Sequence, residues 1–576
     1  MFIRQLFDPR RLTEEEIMAD ASKEKERDYQ KAGIEVLFRK STPISEPGNR
    51  YPGFKPGIIT LPKGSIHREG ALTLACDIIF ERDVAVPMRD GVIIYVDIYR
   101  PTGSEKIPAI IAWSPYGKKG GFQSLDMLPG RMGIPVSALS DLQVWEGPDP
   151  AYWCNEGYAV VNPDARGAFM SEGDIHFWGS QDAEDGHDLI EWLAVQDWSN
   201  GKMGLTGNSW LAIAQWFIAA ARPPHLAAIA PWEGLTDLYR HDICRGGIPN
   251  VGFNELILTH LYGNNRTEDT PAMLKKYPLM NAYWKDKAAK LENIDVPAYV
   301  VASYSSPLHV YGTFEGFRRI SSKDKWLRVH NTHEWIDYYD PVYKEDLRRF
   351  FDRYLKGMKN GWEQTPRVRL SVLDPGGTDE VGRAEEAFPP ARVQYEKLFL
   401  DAKTGKLTLD SVAGESSVRY NADDGKGKAI FTVRFDRETE LIGFLKLRLW
   451  VQADGADDMD LFVLVQKRDD PWPTGKLRVS CRQLDPKRST PSQPFQTHAG
   501  EELLRPGQIV PVEIPLTPIG MRWHAGEQLQ VMVSGYDPVP PTLPGVSIAP
   551  TRNKGEHIIH TGGKYDSHLL VPMNRS

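Results

Sequence analysis

The segment Gly204-Leu205-Thr206-Gly207-Asn208-Ser209-Trp210-Leu211-Ala212 carries the residue whose chemistry is most readily named. A strand that stops at Gly207 and a helix that opens at Trp210 predict a tight elbow. Its serine hydroxyl would stand exposed at the C-terminal edge of a sheet. The Trp210 N–H, in the first turn of that helix, would face an oxyanion formed at Ser209, and the helix dipole would add to it. The fifth position of the usual G-x-S-x-G pattern is Leu211 here. Four residues of such a pattern recur by chance in a long chain. The strand, elbow and apolar helix around them favour a nucleophile over a turn serine.

A serine hydroxyl is a poor nucleophile until a base takes its proton. DKWLRVHNTHEW offers two histidines. His330 closes a predicted strand, and His333 lies three residues deeper in the following loop. Both are candidate bases, and the deeper position favours His333. Asp182, Glu184, Asp185, His187 and Asp188 resemble a metal cluster, but they open a helix, where carboxylates suit the dipole. Asp164 and Arg166 read as a loop-anchoring ion pair. No phosphate or dinucleotide fingerprint occurs, so neither metal nor cofactor is expected.

These residues need a sheet to hold them. FERDVAVPMRDGVIIYVDIYRP reads as a hairpin, and KIPAIIAWSPYG and WCNEGYAVVNPDARG as buried strands. DAEDGHDLIEWLAVQDW is a helix, and strands alternating with helices indicate a parallel α/β sheet. The predicted organisation is an arm over 1–75, an α/β domain over 76–234 and 292–360, a helical cap over 235–291 and an all-β domain over 361–576. Thr13 and Glu16 form a capping box for a surface helix running to Lys31. After about Asn360 short alternating strands separated by Gly, Pro and Asp predict a sandwich or jelly roll.

The chain has 576 residues with a net charge of −8, 69 basic against 77 acidic side chains. That balance leaves no basic footprint for nucleic acid or an anionic membrane. Four scattered cysteines favour free thiols. The first 20 residues show no apolar leader, so a cytoplasmic location is expected. The arm suggests a contact in a homo-oligomer.

VAVPMRDGVIIYVDIYRP, IIAWSPYGKKG, WCNEGYAVVNPDARGAFMSEGD, DAEDGHDLIEWLAVQDWSNGKMGLTGNSWLAIAQW and EDLRRFFDRYLKG together resemble the cocaine esterase/NonD hydrolases. These are relatives of the X-prolyl dipeptidyl aminopeptidases. The match runs in order from about Phe80 onward and leaves the first 75 residues uncovered. It implies an α/β-hydrolase core with an inserted helical cap and a C-terminal jelly roll. It also implies that Tyr116, in SPYGK, adds its hydroxyl to the oxyanion hole beside the Trp210 N–H.

The same resemblance exposes a gap. The family carries its acid at the end of the strand before the histidine loop. Here that stretch reads Ala302-Ser303-Tyr304-Ser305-Ser306-Pro307-Leu308-His309, with Ser306 at the expected position. Three replacements are open. Glu233, ending the strand LAAIAPWEG, is the first choice; Asp337 or Asp340 is the second; a Ser–His dyad acting on an activated acyl donor is the third. Asp237 reads as a structural link to the cap, and His309 as a pocket-lining or core histidine.

The expected function is therefore a serine hydrolase, cleaving an ester or amide of a small or medium apolar or aromatic molecule through an acyl-enzyme on Ser209. Trp178, Trp210, Trp216, Tyr239 and Trp335 supply the aromatic surroundings. Acyl transfer or cyclisation at the same residues is a rival within enzymology. A non-catalytic binding protein with a hydrolase shell is the rival outside it.

Overall fold

In the computed structural model the described residues are 27–46, 49–118, 124–468, 473–539, 546–548 and 550–575. The expected Thr13–Glu16 capping box lies outside them. Of its helix, only Asp28–Lys31 is described.

Eleven described strands form the first sheet. In chain order they are β1 (Gly57–Leu61), β2 (Ile78–Pro87), β3 (Ile93–Pro101), β4 (Ile107–Ile111) and β5 (Ala159–Asp164). Then follow β6 (Ser199–Asn208), β7 (Leu226–Trp232), β8 (Ala298–Ser303), β9 (Lys325–His330), β10 (Val368–Val372) and β11 (Glu380–Glu385). Their spatial order is β1-β2-β3-β5-β4-β6-β7-β8-β9-β10-β11. From β5 to β10 every neighbouring pair is parallel, and the pairs at both edges are antiparallel. The parallel strands are buried on both faces, as AYVVAS in β8 shows along its whole length. Helices on either side account for this.

Four of those helices frame the site: α1 (Ser180–Ala194), α2 (Trp210–Ala220), α3 (Val310–Arg319) and α4 (Glu334–Tyr339). α2 is apolar but for Gln215, and only its last residue, Ala220, escapes full burial. It approaches α1 closely enough that a Cβ on Gly186 would meet Ile218 at 2.4 Å. It approaches the chain beyond β7 just as closely. A Cβ on Gly234 would lie 2.8 Å from both Ala212 Cβ and Ile213 N.

The sheet runs past both boundaries expected from composition. β1 pairs with β2, so part of the expected arm is sheet. β10 pairs with β9, and β11 with β10, so the sheet continues past residue 360 to Glu385. The arm is also stitched to the cap. Phe38–Lys40 pairs with Arg266–Glu268, and Arg39 holds Asp269 through two bonds of 2.8 Å.

From Gln394 onward the described chain is all-β. A second, almost wholly antiparallel sheet of thirteen described strands encloses its own core of residues such as Leu447, Val463, Val531 and Leu569. Among the described residues no helix is long and apolar enough to cross a membrane.

The contact at Gly234 has a measurable consequence. Gly234→Ala forces an extra methyl against the first turn of α2, so the substitution should destabilise by about 1–3 kcal/mol. A lowered thermal midpoint checks this, and an unchanged midpoint contradicts the packing described.

Candidate active site

Ser209 lies between β6 and α2 with φ 51° and ψ −119°. A non-glycine residue at positive φ is uncommon, and three occur together here. Glu146 has φ 64° and Glu233 φ 59°. They hold the elbow by backbone bonds. The Glu146 carbonyl accepts from Asn208 N–H at 3.2 Å, and the Glu233 carbonyl accepts from Ser209 N–H at 3.1 Å. Gly207, at φ 132°, lets Leu211 pack where a Cβ would stand 2.6 Å away. Ser209 itself is half-buried.

The Trp210 N–H is in the first turn of α2, where helix donors lack an intrahelical acceptor. The Trp210 ring packs against Trp178 at 4.4 Å, Phe177 at 4.8 Å and the edge of Tyr116 at 5.6 Å. Tyr116 is buried beside the elbow. Of the other expected aromatics, Trp216 is core beneath the elbow and Tyr239 packs on Trp284 in the cap. Trp335 lies beside His333.

The two candidate histidines have different surroundings. His330 is buried with both ring nitrogens engaged: Nε2 with Glu233 Oε1 at 2.6 Å and Nδ1 with Thr332 Oγ1 at 3.0 Å. Thr332 in turn donates its one hydroxyl proton to Asp337, which Arg328 keeps ionised. His330 must therefore donate from Nδ1 to Thr332, and a single proton remains for the Nε2–Glu233 contact. Burial pushes Glu233 well above the usual carboxylate range, helped by the charges of Glu334 and Asp337. Burial also lowers His330 to about 3. The proton accordingly resides on Glu233, and the pair is neutral.

His333 precedes α4 and is half-buried, its ring tilted against Trp335 at 4.4 Å. Among the described residues its Nδ1 has no hydrogen-bond partner. Burial lowers its pKa, which keeps it neutral. The serines that stand where a carboxylate was expected fasten the histidine loop by its backbone. Ser303 and Ser305 donate to the Thr332 carbonyl at 2.9 and 3.0 Å, and Ser306 faces the Glu233 carboxyl. Asp337 is committed to Arg328 and Thr332, and Asp340 caps the helix that begins at Pro341. Neither touches His333 in the hydrogen bonds of the described residues.

Two carboxyl groups here were not singled out from the sequence. Glu334 lies 3.7 Å from Nε2 of the buried His309, and burial raises its pKa to about 8. Glu146 accepts from the Trp335 indole at 2.9 Å and is likewise driven upward by burial. Glu146 comes from a loop and Glu334 opens α4, and neither stands in a catalytic pattern. The signal available for Glu334 was its place directly after His333.

Asp164 and Arg166 anchor loops, but not as a pair. Arg166 holds Asp185 through two bonds of 2.6 and 2.7 Å. Asp164 binds Lys118, two residues after Tyr116, through its backbone N–H at 2.8 Å and Nζ at 3.0 Å. Nζ also meets Asp83 at 2.5 Å and Asp97 at 3.9 Å. Among the described residues one side-chain cluster has metal-like spacing, Asp374, His524 and Glu527. The Lys467 ammonium already sits between its carboxylates at 2.6 and 2.7 Å.

The Lys118 cluster fixes the segment that carries Tyr116, and it sets a pH dependence. Burial raises Asp97 to about 7, against about 3.9 in an unfolded chain. The folded state thus keeps a proton that the unfolded state releases, and stability falls as pH rises from about 4 through 7. Lys118→Met removes the cation that opposes this rise. It should cost about 3–5 kcal/mol at pH 8 and less at pH 5, as read by thermal unfolding. Equal losses at both pH values would contradict the buried cluster.

Residues 90–275 match the model of the X-Pro dipeptidyl-peptidase S15 family, and 360–570 that of the X-Pro dipeptidyl-peptidase C-terminal non-catalytic domain. The chain is 34% identical to cocaine esterase of Rhodococcus sp., a match covering 85% of this chain and 98% of the relative. A CocE/NonD family hydrolase from Staphylococcus aureus superposes with TM-score 0.85 at 36% identity, covering 90% of this chain and 97% of that one. An α-amino acid ester hydrolase shares the fold at 17% identity and TM-score 0.65, covering 87% and 97%. With its α/β-hydrolase core and all-β C-terminal domain, the chain belongs to the CocE/NonD family of serine hydrolases, enzymes of ester or amide bonds.

Proposed function

We propose that the protein is an esterase that forms an acyl-enzyme on Ser209, with His333 as general base. The Tyr116 hydroxyl and the Trp210 N–H form the oxyanion hole. The observation that carries this reading is the strained Ser209 at the head of α2, since backbone strain of this kind clusters at functional sites. His333 is preferred over His330 because both nitrogens of His330 are already engaged. Glu233 then holds His330 and the elbow backbone, and no carboxylate among the described residues orients the His333 ring.

Lacking the acid of a full triad costs on the order of 10⁴ in rate, roughly 5.5 kcal/mol. The dyad therefore suits an activated acyl donor such as an aryl ester. Trp178, Phe177 and Trp210 offer an aromatic wall to the acyl or leaving group. The printed name of the Rhodococcus relative agrees with an ester substrate. The bare Nδ1 of His333 also favours a second reading, acyl transfer. A weakly supported base activates water poorly, whereas an amine or thiol acceptor needs less help. Four free cysteines fit a reducing compartment such as the cytoplasm.

The assignment is tested by kinetics on an aryl ester such as p-nitrophenyl butyrate. His333→Ala should lower kcat by about three orders of magnitude. Glu233→Gln, which can still donate to His330, should change it by less than about tenfold. Because burial lowers His333, the acid limb of kcat/KM should fall below the ordinary histidine value of about 6.5. An active His333→Ala protein beside an inactive His330→Gln protein would overturn it.

A further inference from the structure

A cavity of about 270 Å³ opens where the cap, α3 and the all-β domain meet. Neither Ser209, Tyr116, Trp210, His330 nor His333 lines it. Seven cationic side chains face it against three carboxylates. Each of those carboxylates is already committed. Asp237 holds Arg240 at 2.9 Å, Glu292 pairs with Arg319, and Glu315 holds Arg318 at 2.8 Å.

Cations outnumber the carboxylates within their reach, even with Arg240 paired to Asp237. Arg245 is tethered by one bond of 2.8 Å to the Thr474 carbonyl and meets no carboxylate among the described residues. Lys476, on the same wall, pairs among the described residues with Asp537 alone, at 3.9 Å. Arg488 lies 3.6 Å and Arg240 4.4 Å from the centroid of the Phe495 ring. Burial lowers Arg488, and Arg319 and Arg240 push it further down; burial lowers Lys476, which Asp537 partly offsets. Tyr311 and His241 add aromatic surface between these groups, their rings 5.2 Å apart. Like charges crowded into a part-buried space oppose folding unless something of opposite charge occupies it.

We infer that this cavity is a binding site for a small organic carboxylate with a flat apolar body. Arg245 and Lys476 take the carboxylate, where a guanidinium can bind both oxygens. Phe495 and Tyr311 pack against the body. The site is separate from Ser209 and requires no turnover.

Isothermal titration of the full-length protein with benzoate, at constant ionic strength, tests the assignment. Benzoate should bind saturably at one site. Arg245→Gln should weaken it by about tenfold or more, the usual loss of a charge-assisted bond. Arg488→Gln, at an exposed position, should weaken it as well while keeping the fold. Inorganic phosphate and acetate should bind more weakly, because neither has a body for the aromatic wall. Absence of saturable benzoate binding would overturn the site, as would affinity unchanged from that of the unsubstituted protein in both variants. Phosphate binding tighter than benzoate would overturn the ligand class.

Discussion

Everything around the site depends on holding Ser209 at a positive φ. Such a residue costs about 1–3 kcal/mol and persists only where its surroundings over-determine it. Here they do so by reciprocal strain. Glu146 and Glu233, each at positive φ, turn their carbonyls onto the N–H groups of Asn208 and Ser209. Gly207 and Gly234 let α2 press against the elbow from both sides. The hydroxyl is thereby presented at the sheet edge with a helix N-terminus beneath it, the geometry that stabilises an oxyanion.

The charges under this elbow are arranged so that few remain free. A line of groups runs from Arg328 through Asp337 and Thr332 to His330 and Glu233. Each hydrogen on that line has one place to go, and its end is a neutral carboxyl against a neutral imidazole. Buried Glu334 and Glu146 are pushed in the same direction. The result is a site with several carboxyl groups but, among the described residues, no anion bonded to His333. On the opposite side, Lys118 gathers Asp83, Asp97 and Asp164 and fixes the loop of Tyr116. Ser306 fills the acid position, and its neighbours Ser303 and Ser305 hold the histidine loop through its backbone instead of its ring.

Much of this was legible in the sequence, because it rests on local pattern. The change from strand to apolar helix at Ser209 and the buried strands around it are read from the local run of residue types. The boundaries at residues 75 and 360 were misplaced for a physical reason. Strands β1 and β11 are the short edge strands, and β10 joins the sheet through a parallel pairing with β9 about forty residues away in the chain. β10 is held by Arg369 reaching Tyr299 and Asp346, which no local window reveals. The partner of Glu233 was equally hidden. Its position at a strand end is visible, but whether it meets His330 or His333 depends on how one loop turns. The roles of Glu146 and Lys118 emerge only once distant segments meet.

The central claim is that Ser209 becomes covalently acylated although no carboxylate supports its base. Intact-mass spectrometry, within the first turnovers after mixing with p-nitrophenyl butyrate, tests it directly. The account predicts a mass increase of one butyryl group, located by peptide mapping to Ser209 and absent from Ser209→Ala. Steady release of p-nitrophenol with no adduct, or an adduct on another residue, would contradict it.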